Sequence, residues 1–276
     1  PPAADSGGPG ATTVLKWPDG KQAAFLLAFD DSCESHVNIA IPELKKRGLV
    51  GTFYINPGNG PFKNRREAWE KEIPATGMEY GNHTMTHSGA LSAEMWDGEL
   101  AGCNEEIQRC FPDRRTPRLI AYGTPGGIKK ENWRLTEDEI RQALVKHHLI
   151  QRPSFYGPPI HLQPTAEAMI TAADQALAKG EMGHLDFHGV GGDWLTTPKE
   201  GFVGLLDHLA ANRERLWVTD LISFHKYQTE RDGAVVKVLE SRPDRIRIRL
   251  TCTADPALYD FPLTLSTRVP PEWKGC

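Results

Sequence analysis

The run Ala23-Ala24-Phe25-Leu26-Leu27-Ala28-Phe29 is apolar at every position and ends in two consecutive carboxylates, Asp30 and Asp31. A strand that is apolar on both faces belongs inside a parallel sheet or a barrel, because only there are both faces covered. The run therefore commits the chain to an α/β architecture. It also raises an electrostatic problem. Two adjacent carboxylates at a buried strand end are costly unless something neutralises them, and a divalent cation does so most directly.

The rest of the chain repeats the strand–helix alternation. Residues 22–30 form the first strand. Residues 36–47 read as a helix with Val37, Ala40, Ile41 and Leu44 on one stripe and Gly48 as its stop. Strands follow at 50–55, 77–82, 118–122, 149–152, 183–188 and 216–218. Between them lie a short polar helix at 65–72 and a helix at 93–110 capped by Ser92. Thr136 and Glu139 form a capping box at the head of another helix. Thr165 caps a helix to about 179, and a further helix covers 199–211. Thr219 opens a last short helix toward Tyr227. This is roughly seven strand–helix units, the pattern of a parallel α/β fold. Such folds place their sites at the C-terminal ends of strands, where Asp30 and Asp31 fall.

The pattern changes after residue 228. Ile246, Ile248 and Leu250 alternate with Arg245, Arg247 and Arg249, as in an antiparallel sheet with one wet face. The expected organisation is a linker over 1–19, rich in Pro and Gly, a catalytic domain over 20–228 and a small β-rich appendage over 229–276. An appendage of that length buries little by itself and is expected to lean on the catalytic domain.

The 276 residues carry a formal charge of −4, with Lys and Arg scattered and nearly balanced by acids. That argues against a nucleic-acid surface. No run of about 18 apolar residues exists to span a membrane as a helix. The linker-like start without an initiating Met is what a processed protein shows, so a secreted or periplasmic location is expected. Of the five cysteines, Cys33, Cys103 and Cys110 read as buried thiols, while Cys252 and Cys276 could staple the tail.

Two imidazoles stand four residues apart in His83-Thr84-Met85-Thr86-His87, the spacing of one helix face. Two His and one Asp make a hydrolytic zinc site with room left for water. Asp31, His83 and His87 are the candidate ligands, and Asp30 is then free to act as the base. In the 183–194 segment, alternation puts His184, Asp186 and His188 on one strand face. Trp194, Trp133, Phe155 and Tyr156 sit in or near loops, where planar rings could stack on sugars.

These residues carry a resemblance. Phe29-Asp30-Asp31 is similar to the first motif of the polysaccharide deacetylases, the family 4 carbohydrate esterases with a nodulation-protein-B homology domain. His83-Thr84-Met85-Thr86-His87 is similar to their second. The resemblance covers residues 20–227. It implies a distorted (β/α) barrel of about seven parallel strands. It also implies that Asp31, His83 and His87 hold a metal, usually Zn2+ though another divalent transition metal would fit, with Asp30 as catalytic base. The third motif departs from the family pattern. Tyr122 and Gly123 match its end, as groove wall and oxyanion-binding backbone, but Arg118 stands too far from Tyr122. Arg152 resembles the arginine that some members carry at the end of the following strand, where it would pair with Asp30. His188 matches the strand-end histidine that protonates the leaving group.

The implied activity is hydrolysis of N-acetyl groups on a chitin-, peptidoglycan- or exopolysaccharide-like polymer, releasing acetate. The same residues serve an O-acetyl xylan esterase or an amidohydrolase of small amides. A binding module of the same fold would use the groove alone.

Overall fold

The computed structural model describes residues 8–153 and 165–274. Phe155, Tyr156 and Cys276 therefore lie outside the described residues. The central sheet is built from β2 (Ala23–Asp30), β3 (Thr52–Ile55), β4 (Glu79–Asn82), β5 (Ile120–Tyr122), β6 (Leu149–Gln151), β7 (Met182–Phe187) and β8 (Leu216–Thr219). The helices are α1 (Ile41–Lys46), α2 (Gly60–Asn64), α3 (Ala93–Cys110), α4 (Glu137–Lys146), α5 (Ala166–Lys179), α6 (Lys199–Ala211) and α7 (Leu221–Asp232). Outside the sheet stand β1 (Thr12–Val14), β9 (Ala234–Arg242), β10 (Arg245–Cys252) and β11 (Leu265–Thr267).

The seven central strands are all parallel, in the order β6-β5-β4-β3-β2-β7, with β8 also paired to β2. β2 is the hub. One edge pairs with β7 along Ala24–Phe29, and its other edge meets β8 at Ala23–Leu26 and β3 at Ala28–Asp30. Every residue of β2 is buried, as its apolar run requires. Its outward side chains Phe25, Leu27 and Phe29 enter the core between sheet and helices. Phe29 stacks on Phe53 at 4.5 Å and on Phe187 at 5.3 Å, with Phe202 edge-on, a geometry aromatic pairs prefer. The inward row is Ala24, Leu26, Ala28 and Asp30, so small residues leave space inside the curl. β6 and β7 end the hydrogen-bonded path, and the sheet curls into a partly closed half-barrel. The expected α/β barrel of about seven parallel strands is the fold observed.

Tyr54 fills the inside of the curl, and two glycines accommodate it. A Cβ on Gly81 would sit 2.5 Å from the Tyr54 ring, and one on Gly123 would sit 3.0 Å from it. The helix starts follow the expected chemistry. The Ser92 side chain accepts from the Met95 N–H, and Thr165 accepts from the Ala168 N–H. Thr136 and Glu139 cap reciprocally. The helix expected over 36–47 opens instead as a π-helical turn, His36–Ala40, before α1.

By its internal packing the chain divides into two compact units, Gln22–Phe224 and the described residues of Pro1–Lys21 with His225–Cys276. In the smaller unit β1 pairs antiparallel with β11, Thr12 opposite Thr267. Part of the stretch expected as linker is thus a strand. β9 and β10 form an antiparallel hairpin with a bulge between Arg247 and Ile248. Arg245, Arg247 and Arg249 are exposed on it.

Candidate active site and metal centre

The C-terminal ends of β2, β3, β4, β6 and β7 deliver the polar side chains. Immediately after β2 the chain turns sharply, with Asp31 and Ser32 both left-handed at φ 73° and 53°. Non-glycine residues rarely adopt that conformation, and pairs of them persist only where the surroundings impose it. The Asp31 N–H donates to the Tyr54 carbonyl, and Ser32 exchanges hydrogen bonds with Asn56. The turn puts both carboxylates at the mouth of the curl.

His83 and His87 are not on a helix. They lie on a bend after β4, with Thr84 and His87 left-handed at φ 64° and 59°. The Thr84 N–H donates to Asn82 Oδ1, and the His87 N–H donates to Thr84 Oγ1. These local bonds replace the helical ladder and fold the second imidazole back onto the first. The expected helix-face spacing is thus corrected, while the convergence it implied stands.

Asp31, His83 and His87 offer ligand atoms that all lie within 4.8 Å of one another. Asp31 Oδ1 is 3.4 Å from Nε2 of each imidazole. Donors bound at 2.0–2.1 Å to one tetrahedral ion stand about 3.4 Å apart, so the set fits a small divalent cation. His83 Nδ1 lies 2.8 Å from the Gly123 carbonyl oxygen, so Nδ1 carries a proton and Nε2 is the nitrogen that faces the site, available to a metal once its own proton leaves. Asn56 Nδ2 donates to Asp31 Oδ1 at 3.2 Å, and Trp194 Nε1 donates to Asp31 Oδ2 at 3.0 Å. Burial pushes the Asp31 carboxyl up, but its hydrogen bond to His83 and the charges of His83, His87 and His188 hold it below the carboxylate range. Burial pulls His83 down, yet Asp30 and Asp31 outweigh it and the imidazole is raised.

Asp30 is almost fully buried beside this cluster, its Oδ2 3.9 Å from His83 Nε2. Arg152, just beyond β6, grips both its oxygens, Nη1 to Oδ1 at 2.6 Å and Nη2 to Oδ2 at 2.7 Å. Nη1 also reaches Asp186 Oδ1 at 3.2 Å, and the guanidinium lies over the Tyr54 ring at 4.7 Å. Burial would raise the Asp30 carboxyl, but the Arg152 charge and hydrogen bonds, with His83 and His188, hold it below its ordinary value. Asp30 is ionised and clamped.

His188 follows β7, with Nε2 3.8 Å from Asp31 Oδ2 and the ring partly open to solvent. Its backbone carbonyl accepts from Nε2 of the buried His36 at 2.7 Å. His184 and Asp186 sit deeper on the same strand, 3.5 Å apart. The structure thus brings together Asp30, Asp31, His83, His87, Arg152 and His188.

The expectation for Tyr122 is corrected. Strand alternation turns its ring outward into the core against Trp96, fully buried, so it lines no groove. The Gly123 N–H is committed to the Asn82 carbonyl, so that group offers no oxyanion donor. Gly123 serves instead through its carbonyl, which orients His83, and through its missing side chain. A Cβ there would press on Arg152 Cζ at 3.3 Å. Trp194 is 43% exposed and reaches the site by its indole N–H. Trp133 packs edge-on against Trp96. Arg118 pairs with Glu79 at the opposite end of the strands. Asn56 and His36 were not anticipated. Asn56 stands at the C-terminal end of β3, the position that marks site residues throughout this sheet.

Residues 18–148 match the family described as Polysaccharide deacetylase, so this stretch, which carries Asp30, Asp31, His83 and His87, is similar to that family. The structure of peptidoglycan deacetylase PdaC from Bacillus subtilis superposes with a TM-score of 0.56 at 16% identity, over 77% of this chain and 94% of that one. A CE4 family pseudoenzyme from Bacillus anthracis superposes at 0.51 and 16% identity, over 73% and 64%. Among curated proteins, gellan lyase from a Bacillus species is 21% identical over 96% of this chain, which spans only 12% of that relative's length. Asp31, His83 and His87 together have the donor set of a divalent-metal centre.

Proposed function

We propose that the chain is a zinc-dependent deacetylase that removes N-acetyl groups from a polysaccharide of the chitin, peptidoglycan or exopolysaccharide kind. The observation that carries this is the clamped carboxylate of Asp30 beside a converging Asp31–His83–His87 set, with His188 close by. The ligand types favour zinc, with other first-row divalent metals as competitors. An ion bound there supplies a Lewis acid that polarises an amide carbonyl and acidifies a water.

The residues of the chain do the rest. Arg152 spends one lone pair on each Asp30 oxygen, and each oxygen keeps a second. Asp30 therefore retains basicity toward the attacking water and takes its proton. The buried guanidinium keeps Asp30 ionised while holding it in place. His188 bears the proton that the departing nitrogen needs. Acetate and a free amine result. Such polymers lie outside the cytoplasm, which supports a secreted or periplasmic location.

The test is acetate release by the zinc-loaded chain from a panel of N-acetylated and O-acetylated glycans and small amides. N-acetyl glycans are expected to be turned over fastest, and activity is expected to vanish on chelation and return with zinc. Turnover confined to esters or to small amides would overturn the proposed substrate class.

A further inference from the structure

Among the described residues Trp194 is an exposed aromatic that touches the site, and an exposed tryptophan in a deacetylase groove suggests a sugar platform. Its geometry says more. Asp31 uses its two oxygens differently. Oδ1 faces both imidazoles at 3.4 Å and accepts from Asn56 at 3.2 Å. Oδ2 accepts from the Trp194 indole N–H at 3.0 Å. The two donors fix the carboxylate so that one oxygen points at the metal position and the other is turned away.

The backbone around Trp194 is held to achieve this. Asp193 and Leu195, on either side of it, are both left-handed, at φ 64° and 46°. Such conformations cost on the order of 1–3 kcal/mol each and survive only where the surroundings over-determine them. The surroundings here are explicit. The Ser35 N–H donates to Asp193 Oδ2 at 2.7 Å, and the Val190 N–H donates to Ser35 Oγ at 3.0 Å. The Gly189 N–H donates to the Trp194 carbonyl at 3.0 Å. A loop built for a stacking surface alone has no need to aim an indole nitrogen at a half-buried carboxylate.

We propose that Trp194 is a positioning residue for the metal centre. Its N–H occupies Asp31 Oδ2, makes Asp31 a one-oxygen ligand, and so keeps a coordination position open for water and substrate. This rests on the metal-site reading above. Hydrogen-bond partners that orient a metal ligand typically change affinity 10–100-fold when removed. The outer face of the ring remains exposed, so a sugar stacked there covers the same hydrogen bond and couples docking to the metal ligand.

The experiment compares W194F with W194A and the parent chain. Phenylalanine keeps a stacking ring and removes only the N–H. The zinc dissociation constant is measured by competition with a chromogenic chelator, and binding of a chito-oligosaccharide is measured separately. W194F is expected to weaken zinc about 10-fold while retaining glycan binding, and W194A to lose both. The unfolding midpoint of the chelated W194F protein should stay close to the parent's, since phenylalanine keeps a ring at this 43% exposed position. In the parent chain the Trp194 indole N–H resonance should shift when zinc is added, and D31N should displace it without zinc. Zinc affinity in W194F equal to the parent, or an indole resonance unmoved by saturating zinc, would overturn the assignment. A parent chain that binds no zinc would remove the metal centre itself, a result separate from W194F binding like the parent.

Discussion

Replacing Arg152 with methionine keeps much of the side-chain volume and removes the charge. It strands Asp30 and Asp186, which are 2% and 5% exposed, without the guanidinium that bonds both. Breaking one partner from a buried ion pair costs about 3–5 kcal/mol. A carboxylate can limit that cost by taking up a proton. From an unfolded pKa near 3.9, protonation at pH 7 costs 1.36 kcal/mol for each of about 3.1 pH units, or about 4 kcal/mol. At pH 5 the same escape costs about 1.5 kcal/mol. The signs oppose one another. In the parent, Asp30 is depressed, so its contribution is present above the unfolded value and fades as pH falls through the folded one. In R152M the stranded carboxyl is raised, so the folded state holds the extra proton and stability falls as pH rises. The R152M deficit should therefore be about 4 kcal/mol at pH 7 and shrink by about 2.5 kcal/mol at pH 5. Urea unfolding of chelated protein, followed by fluorescence at both pH values, measures it. D30N in the R152M background should recover much of the loss at pH 7. A deficit equal at the two pH values, or one that D30N leaves intact, would refute the electrostatic account and point to lost packing over Tyr54.

Buried His36 is pulled down to about 4 by desolvation, chiefly, although its bond to the His188 carbonyl and nearby carboxylates oppose it. Its folded pKa lies below the unfolded value, so stability should drop by about 3 kcal/mol as pH falls from 6.5 to 4. H36N should flatten that limb of a denaturation-midpoint profile. D30N should keep its metal and lose about 10²-fold or more in turnover, whereas D31N should lose metal. Metal content measured beside rate separates the two. H188A should lose far more rate on an acetylated amine than on an activated aryl acetate, whose leaving group departs without a proton; equal losses would assign His188 a binding role.

Much of this architecture was legible because burial leaves a simple imprint. The unbroken apolar run of β2 can be satisfied only in the middle of a covered parallel sheet, and it is the hub. Thr136 with Glu139 is a local device that works without tertiary help, and it is found as read. The metal ligands were legible because carboxylates and imidazoles have few reasons to converge at strand ends. What escaped was long-range in origin. The bend at His83–His87 depends on Asn82 Oδ1 and on left-handed Thr84 and His87, and spacing alone cannot separate it from a helix. The facing of Tyr122 follows from where β5 starts pairing, and a shift of one residue inverts it. Trp194 looked like a loop aromatic because its hydrogen bond spans 163 residues of chain.

The free edges of β6 and β7 bring a final consequence. Among the described residues no backbone ladder joins them, yet Arg152 beyond β6 reaches Asp186 in β7 and Asp30 in β2. Among the described residues, that guanidinium ties the end of β6 to β7 and β2 at the mouth of the half-barrel. The same group holds the proposed base. Separating β6 from β7 at the mouth would therefore also break the contacts of Arg152 with Asp30. A pair of distance labels placed across the gap between those edges should sit farther apart in R152M than in the parent chain, and an unchanged separation would show that the guanidinium does not hold the edges together.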